Sequence, residues 1–386
     1  MRIHGRSASH RGARIVTQWG DRFDYAFYVP SFIGGGAERN CVLLANELCA
    51  RGLSVCFFVD RDEGPNRGLL SEAVSVHSFG ETGHFGHIMR LRSALLKCRP
   101  RVIYVQIGLS PVKYLAASFL LPEATTSVVV YHGLYDKALR PGGKLNYWFA
   151  PLITGLFDSV VAVSNGLREH LVSKFGVKAG DVKVIHNPVD IDMLDRMSIA
   201  QASGPRLAQP YLVSLGRMVP QKDFATLIEA FSLIAGRVPH ELVILGEGPL
   251  KGSLVEQVER LGLANRVVFP GYIENPFPIV RRADALVLSS VSEAFGNVLV
   301  EALVLGVRVV ATDCPGGPRE ILGHGEWGWL CPPRNPQRLA DAMLKALDSP
   351  ADAERFRRRS MDFSVSRIAD EYVAVAEKCG HARGRR

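Results

Sequence analysis

"YLVSLGRMVPQKDFATLIEAFSLI" occupies residues 211–234. It reads as a short apolar strand, a glycine, a basic turn and then an amphipathic helix over Asp223–Ile234. A strand that runs through a glycine turn into a helix is the building block of a parallel sheet. The same rhythm follows at "ELVILG" (241–246), "NRVVFPG" (265–271), "DALVLSS" (284–290) and "VRVVATD" (307–313). It also precedes, at "DYAFYV" (24–29), "LSVCFFV" (53–59), "AVSVHSF" (73–79), "RVIYVQI" (101–107), "TSVVVYH" (126–132) and "DSVVAVS" (158–164). Between the two series lies "HNPVDIDMLDRMSIAQASGPRLAQP" (186–210), whose middle is polar and weakly periodic. The chain is therefore expected to be α/β, with two Rossmann-like domains at 23–190 and 191–362. A last helix and a basic tail, 363–386, are expected to return to the first domain.

Composition agrees with this. The 386 residues favour two domains, and 47% are hydrophobic, enough for two cores. No apolar run approaches the roughly 20 residues of a membrane span. Residues 1–22 are basic without an apolar centre, and read as an extension rather than a secretory signal. The seven cysteines are dispersed with no CxxC and no Cys/His metal spacing, which fits a reducing compartment. The formal charge of +8 suits an anionic ligand, an anionic membrane surface or nucleic acid, but ordinary solubility accounts for it equally. No nucleic-acid motif accompanies it.

Four polar or glycine-rich turns follow strands, where parallel sheets bind ligands. Gly34, Gly35 and Gly36 precede the helix Ala37–Arg51 and allow close backbone approach to an anion, although they are not the GxGxxG of a dinucleotide site. Arg217 and Lys222 offer a guanidinium fork and a point charge to a diphosphate; two loop cations are also commonly just solvated. Glu293 and Glu301 lie either side of a helix start near Gly296–Asn297. That spacing can bring both carboxylates to one cleft, to accept from hydroxyls while the helix dipole holds phosphate. The fourth turn is "DCPGGPREIL" (313–322).

The ordered set "GGGAER", "GR..PQKD", "GEGP", "SEAFGNVLVEAL" and "CPGGPREIL" resembles the retaining glycosyltransferases of family 4 over residues 24–375. The resemblance implies the GT-B fold, with two facing Rossmann-like domains and an active cleft between them. It implies that Arg217 and Lys222 hold the donor diphosphate. Glu301 would bind the nucleotide ribose and Glu293 the donor sugar. Gly35 and Gly36 would close on the phosphate, and His132 would face the transferred sugar. Gly296, Asn297 and Val298 would present backbone N–H groups. The 271–276 loop, with Tyr272 and Ile273, would contact the base; Gly216, Gly246 and Phe295 complete the donor set.

A nucleotide sugar, UDP-linked, is the implied co-substrate, with a lipid-linked glycan or surface polysaccharide as acceptor. No cofactor or metal is expected, since cationic side chains can stabilise the leaving diphosphate and no DxD or His/Asp ligand cluster is present. Alternatives on the same fold are a sugar-nucleotide epimerase, a phosphorylase and a non-catalytic subunit of a polysaccharide assembly complex; a nicotinamide dehydrogenase lacks its fingerprint here. The dispersed cysteines point to the cytoplasm, and "MRLRSALLKCRPR" (89–101), a basic amphipathic helix without an acid, fits a peripheral contact with the inner membrane face as well as it fits a plain solvated helix with a buried stripe.

Overall fold

The computed structural model describes residues 22–33, 35–106, 108–121, 125–134, 149–200 and 210–383. The basic extension, apart from Arg22, and Gly34 lie outside these residues. The first sheet is formed by β1 (Tyr25–Val29), β2 (Val55–Val59), β3 (Ser75–Ser78), β4 (Val102–Gln106), β5 (Thr126–Tyr131), β6 (Ser159–Ala162) and β7 (Val182–Val184). All pairings are parallel, in the order β3-β2-β1-β4-β5-β6-β7. The second sheet comprises β8 (Tyr211–Leu215), β9 (Glu241–Leu245), β10 (Val267–Gly271), β11 (Ala285–Leu288), β12 (Arg308–Thr312) and β13 (Trp329–Cys331). It is again all parallel, in the order β10-β9-β8-β11-β12-β13. The strand order reverses between β1 and β4 and between β8 and β11, so each half has the switch point at which open α/β sheets bind ligands.

The central strands are buried on both faces, which is why they read as unbroken apolar runs. Phe27 pairs with Phe57 on one side and Tyr104 on the other, with ring centroids 5.2 and 5.3 Å away. Strands β7 and β13 were not read from the sequence. Each has three residues at a sheet edge, too short to show a run. The polar stretch between the domains contains a helix, Ile191–Ile199, whose Asp190 cap accepts from the Met193 N–H at 2.8 Å.

The chain crosses between domains twice, and the crossings are tied together. Val189 N–H donates to Phe363 O at 2.8 Å, and Val365 N–H donates to Val189 O at 2.9 Å. The final helix, Val365–Arg383, then lies on the first domain. Tyr104 OH donates to Tyr372 O at 2.9 Å, and Arg51 reaches Asp370 at 2.5 Å. No helix among the described residues is long and apolar enough to cross a membrane.

Candidate active site

The carboxyl edges of the two sheets meet. Gly166, opening the helix after β6, lies so near Gly316 that a Cβ on it would stand 2.6 Å from the Gly316 nitrogen. Beside this contact, Glu320 accepts from Asn165 Nδ2 at 2.8 Å and Gly166 N–H at 3.2 Å, and pairs with His186 at 3.0 Å. Burial pushes the Glu320 carboxyl up, but the His186, Asn165 and Gly166 contacts outweigh it and hold the group below its ordinary value.

The second-domain part is built around Lys222. Its short turn, Pro220–Lys222, follows β8, and its ammonium donates to Glu293 Oε1 at 2.5 Å. Ser290 Oγ donates to the same oxygen at 2.6 Å, which leaves Oε2 without a hydrogen bond among the described residues. The loop carrying Glu293 is stapled on both sides. Gln221 Nε2 donates to Ser292 O at 2.8 Å, and Glu293 N–H donates to Pro315 O at 3.0 Å. Two glycines make the cradle possible. Gly246 has φ +130, and a Cβ there would meet Gly216 O at 2.1 Å; Gly316 has φ +123, and a Cβ there would overlap Glu293 O. Gly216 itself lies along the Lys222 stem. Arg217 is exposed, and its side chain has no hydrogen bond or ion pair among the described residues.

The helix Asn297–Val304 starts from Gly296, a left-handed cap with φ +105. Asn297 Oδ1 accepts from Asn187 Nδ2 at 2.9 Å, across the domain junction. Gly36 lies against the same side chain, since a Cβ on it would be 2.5 Å from Asn297 Nδ2. Gly35 caps the Gly36–Ala50 helix. One turn into the second-domain helix, Glu301 accepts from Arg39 Nη1 at 3.1 Å. Burial raises the Glu301 carboxyl above its ordinary value, and Arg39 opposes the shift. Arg39 also lies over the Phe277 ring at 5.6 Å. The crevice between these residues retains only about 10 Å³.

His132 follows β5, and both its ring nitrogens are buried without a hydrogen bond. Burial pushes it down to about 4, against a smaller opposing pull from the Asn187 amide, so the imidazole is neutral at physiological pH. Phe295 is buried and stacks on His186 at 5.4 Å, while Val298 is half-buried. Tyr272 stands 71% exposed and Ile273 packs against the core.

The structure thus brings together Lys222, Glu293, Gly216 and Gly246, and separately Gly36, Asn297 and, through Asn187, His132. The Arg217 side chain makes no hydrogen bond or ion pair to either group among the described residues, and Tyr272 is exposed. Arg39, Asn187, His186 and Glu320 were not anticipated. Glu320 and Arg39 lie within the quoted motifs "CPGGPREIL" and "GGGAER", and His186 and Asn187 within the quoted domain junction, but nothing local gave any of them a role.

The fold is that of the GT-B glycosyltransferases. Residues 34–193 match the model of Glycosyltransferase Family 4, and residues 195–362 match that of Glycosyl transferases group 1. The glycogen synthase of Mycobacterium tuberculosis is 30% identical over 90% of this chain and 91% of its own. The Campylobacter jejuni N-acetylgalactosamine-N,N'-diacetylbacillosaminyl-diphospho-undecaprenol 4-alpha-N-acetylgalactosaminyltransferase is 28% identical over 62% of both chains. Anabaena HepE, solved in complex with UDP and glucose, superposes with a TM-score of 0.76 at 23% identity, covering 92% of this chain and all of that one. The chain belongs to glycosyltransferase family 4.

Proposed function

We propose that the protein transfers a hexose or N-acetylhexosamine from a UDP-sugar to a lipid-linked or polysaccharide acceptor, with retention and formation of an alpha-glycosidic bond. The observation that carries this reading is the Lys222–Glu293 pair at 2.5 Å, set in a glycine cradle at the β8/β11 switch point. Glu293 has an oxygen to offer a sugar hydroxyl. Lys222 and Arg217 can take up the negative charge that grows on a departing diphosphate, with the Asn297 helix start as a further donor set. Glu301 is assigned to the ribose, and neutral His132 to the sugar face. The lipid-linked acceptor is favoured by the Campylobacter relative's name, and UDP by the HepE complex. UDP-, GDP- and ADP-sugars, screened by hydrolysis, test the donor; UDP-sugars should be turned over, and turnover should survive excess EDTA. Complete loss of turnover in EDTA, restored by magnesium or manganese, would refute the cation-only account of the leaving group.

The reading extends to peripheral contact with the inner face of the cytoplasmic membrane, on altered grounds. The arginines of the helix His84–Cys98 are not a free basic face. Arg90 donates to Phe79 O, and Arg92 donates to Ala117 O at 3.0 Å and Phe119 O at 2.6 Å. Beyond the helix, Arg101 pairs with Asp24 at 3.4 Å. The exposed face of this helix is mixed, with Phe85 at 76% and Met89 at 50% beside the exposed Arg90 and Lys97. Co-sedimentation with liposomes should therefore fall with salt but persist in part through the apolar side chains; binding abolished by salt would restore the purely electrostatic account.

A further inference from the structure

A second built site lies in the first domain, outside the donor residues. Lys113, on the helix Ser110–Ser118 after β4, reaches across the β1 end to Asp60, which follows β2. Its Nζ donates to Asp60 Oδ2 at 2.5 Å. Tyr28 OH donates to Asp60 Oδ1 at 2.9 Å. His87 Nε2 lies 3.0 Å from Gly80 O, so that nitrogen carries the proton and Nδ1 accepts from Lys113 Nζ at 3.2 Å. Lys113, Asp60 and His87 are 5%, 7% and 8% exposed.

A buried ion pair is an expensive way to stabilise a core, and apolar residues of the same volume commonly do as well. This pair is not in a dry core. Asp60, His87 and Lys113 line a cavity of about 400 Å³ at the carboxyl edge of β1 and β2, beside the first sheet's switch point. Two of the three ammonium hydrogens are engaged, and the third has no partner among the described residues. Thr82 lines the same cavity, and its hydroxyl is buried without a hydrogen bond.

No positive charge is left over: Lys113 is matched by Asp60, Arg61 on the rim pairs with Glu63 at 3.0 Å, and Glu81 adds a further carboxylate to the lining. A phosphate would find no surplus positive charge here. A sugar ring finds what it needs, an acceptor and a donor side by side for adjacent hydroxyls. We propose that this cavity is a subsite for an uncharged sugar of the acceptor glycan, gripped through its hydroxyls by Asp60, Lys113 and Thr82. The proposal rests on the transferase reading for the word acceptor; the sugar selectivity rests on the cavity alone.

The test uses the full chain and panels of methyl and p-nitrophenyl hexosides and N-acetylhexosaminides, followed by saturation-transfer NMR. At least one uncharged glycoside should bind, and inorganic phosphate should not displace it. Asp60→Asn and Lys113→Met should weaken that binding roughly 10–100-fold, the scale of a lost hydrogen bond to a charged group. Because those variants can also unfold the domain, Thr82→Val is the decisive one. It removes an unpaired buried hydroxyl, so a purely structural role leaves glycoside binding unmoved while the subsite role weakens it. Failure of every glycoside to bind, displacement by phosphate, or full affinity in folded Thr82→Val would each overturn the proposal. A wild-type thermal shift with UDP tests the transferase reading separately. Glycoside binding without a UDP shift sinks that reading and leaves the cavity standing, and a UDP shift without glycoside binding does the reverse.

Discussion

Two ammonium–carboxylate pairs of equal length, 2.5 Å, stand at the carboxyl edges of the two sheets: Lys113–Asp60 in the first domain and Lys222–Glu293 in the second. Their surroundings differ. The Lys113 and Asp60 side chains are 7% and 10% exposed, and the pair is completed by two further side chains, Tyr28 and His87. Lys222 is 20% exposed, and its pair is framed by backbone brought close by glycines, with Ser290 as the only other side chain on the carboxylate among the described residues. A pair embedded in side chains is coupled to folding. A pair framed by glycine backbone is open to a ligand that can take over one partner.

The sharpest way to break this contrast is to truncate each lysine. Lys113→Ala leaves Asp60 buried and uncompensated, and should cost about 3–5 kcal/mol of unfolding free energy. Urea denaturation measures it; a loss no greater than that of Lys222→Ala would show that the two pairs do not differ in kind.

The reverse contrast should appear in turnover. Lys222→Ala and Arg217→Ala should each depress kcat on the order of 10²–10³-fold, and more than they raise donor KM, because their contacts strengthen as the diphosphate leaves. The Arg217 side chain is exposed and makes no hydrogen bond or ion pair among the described residues, so its variant should lose turnover with a nearly unchanged melting temperature. Lys222→Arg should recover only part of the rate, since a planar fork does not replace a point charge. Near wild-type turnover in both folded alanine variants would remove the diphosphate assignment.

The contrast also explains what the sequence revealed. The Lys222–Glu293 pair spans 71 residues, but each partner sits in a short turn whose glycines and polar residues follow an apolar strand, so both turns were legible. The Lys113–Asp60 pair spans 53 residues and was not. Asp60 merely ends a strand, and Lys113 is a single charge in "SPVKYLAAS". Their meeting depends on strand order, which places β1 between β2 and β4, and no local pattern encodes that order. For the same reason the paired rhythm of strands and helices was readable, whereas β7 and β13, three residues each, were not. Arg39 ends the quoted "GGGAER", but its pairing with Glu301 appears only when the second domain is set against its helix.

That residue gives the mildest and most discriminating prediction. Arg39–Glu301 is a third cation–carboxylate pair, formed between domains, with side chains 23% and 17% exposed. It occupies one oxygen of the carboxylate assigned to the donor ribose, so Arg39 competes with a donor for that group. Glu301→Ala should raise donor KM with a smaller effect on kcat, whereas Arg39→Ala should lower donor KM a few-fold by removing the competitor. The pH dependence has a definite sign. A buried carboxyl raised above its ordinary 4.5 holds its proton longer in the folded state than in the unfolded one. Folding stability therefore falls as pH rises from that value to the raised one, and is level above it. Arg39 opposes the rise, so Arg39→Ala should extend the window upward and deepen the loss, by less than about 1 kcal/mol for a partly exposed pair. Melting temperatures from pH 4 to 8 measure this. If Arg39→Ala raises donor KM and leaves the pH profile unchanged, Arg39 binds the donor itself, and its contact with Glu301 belongs with the Lys222–Glu293 pair as part of the donor grip.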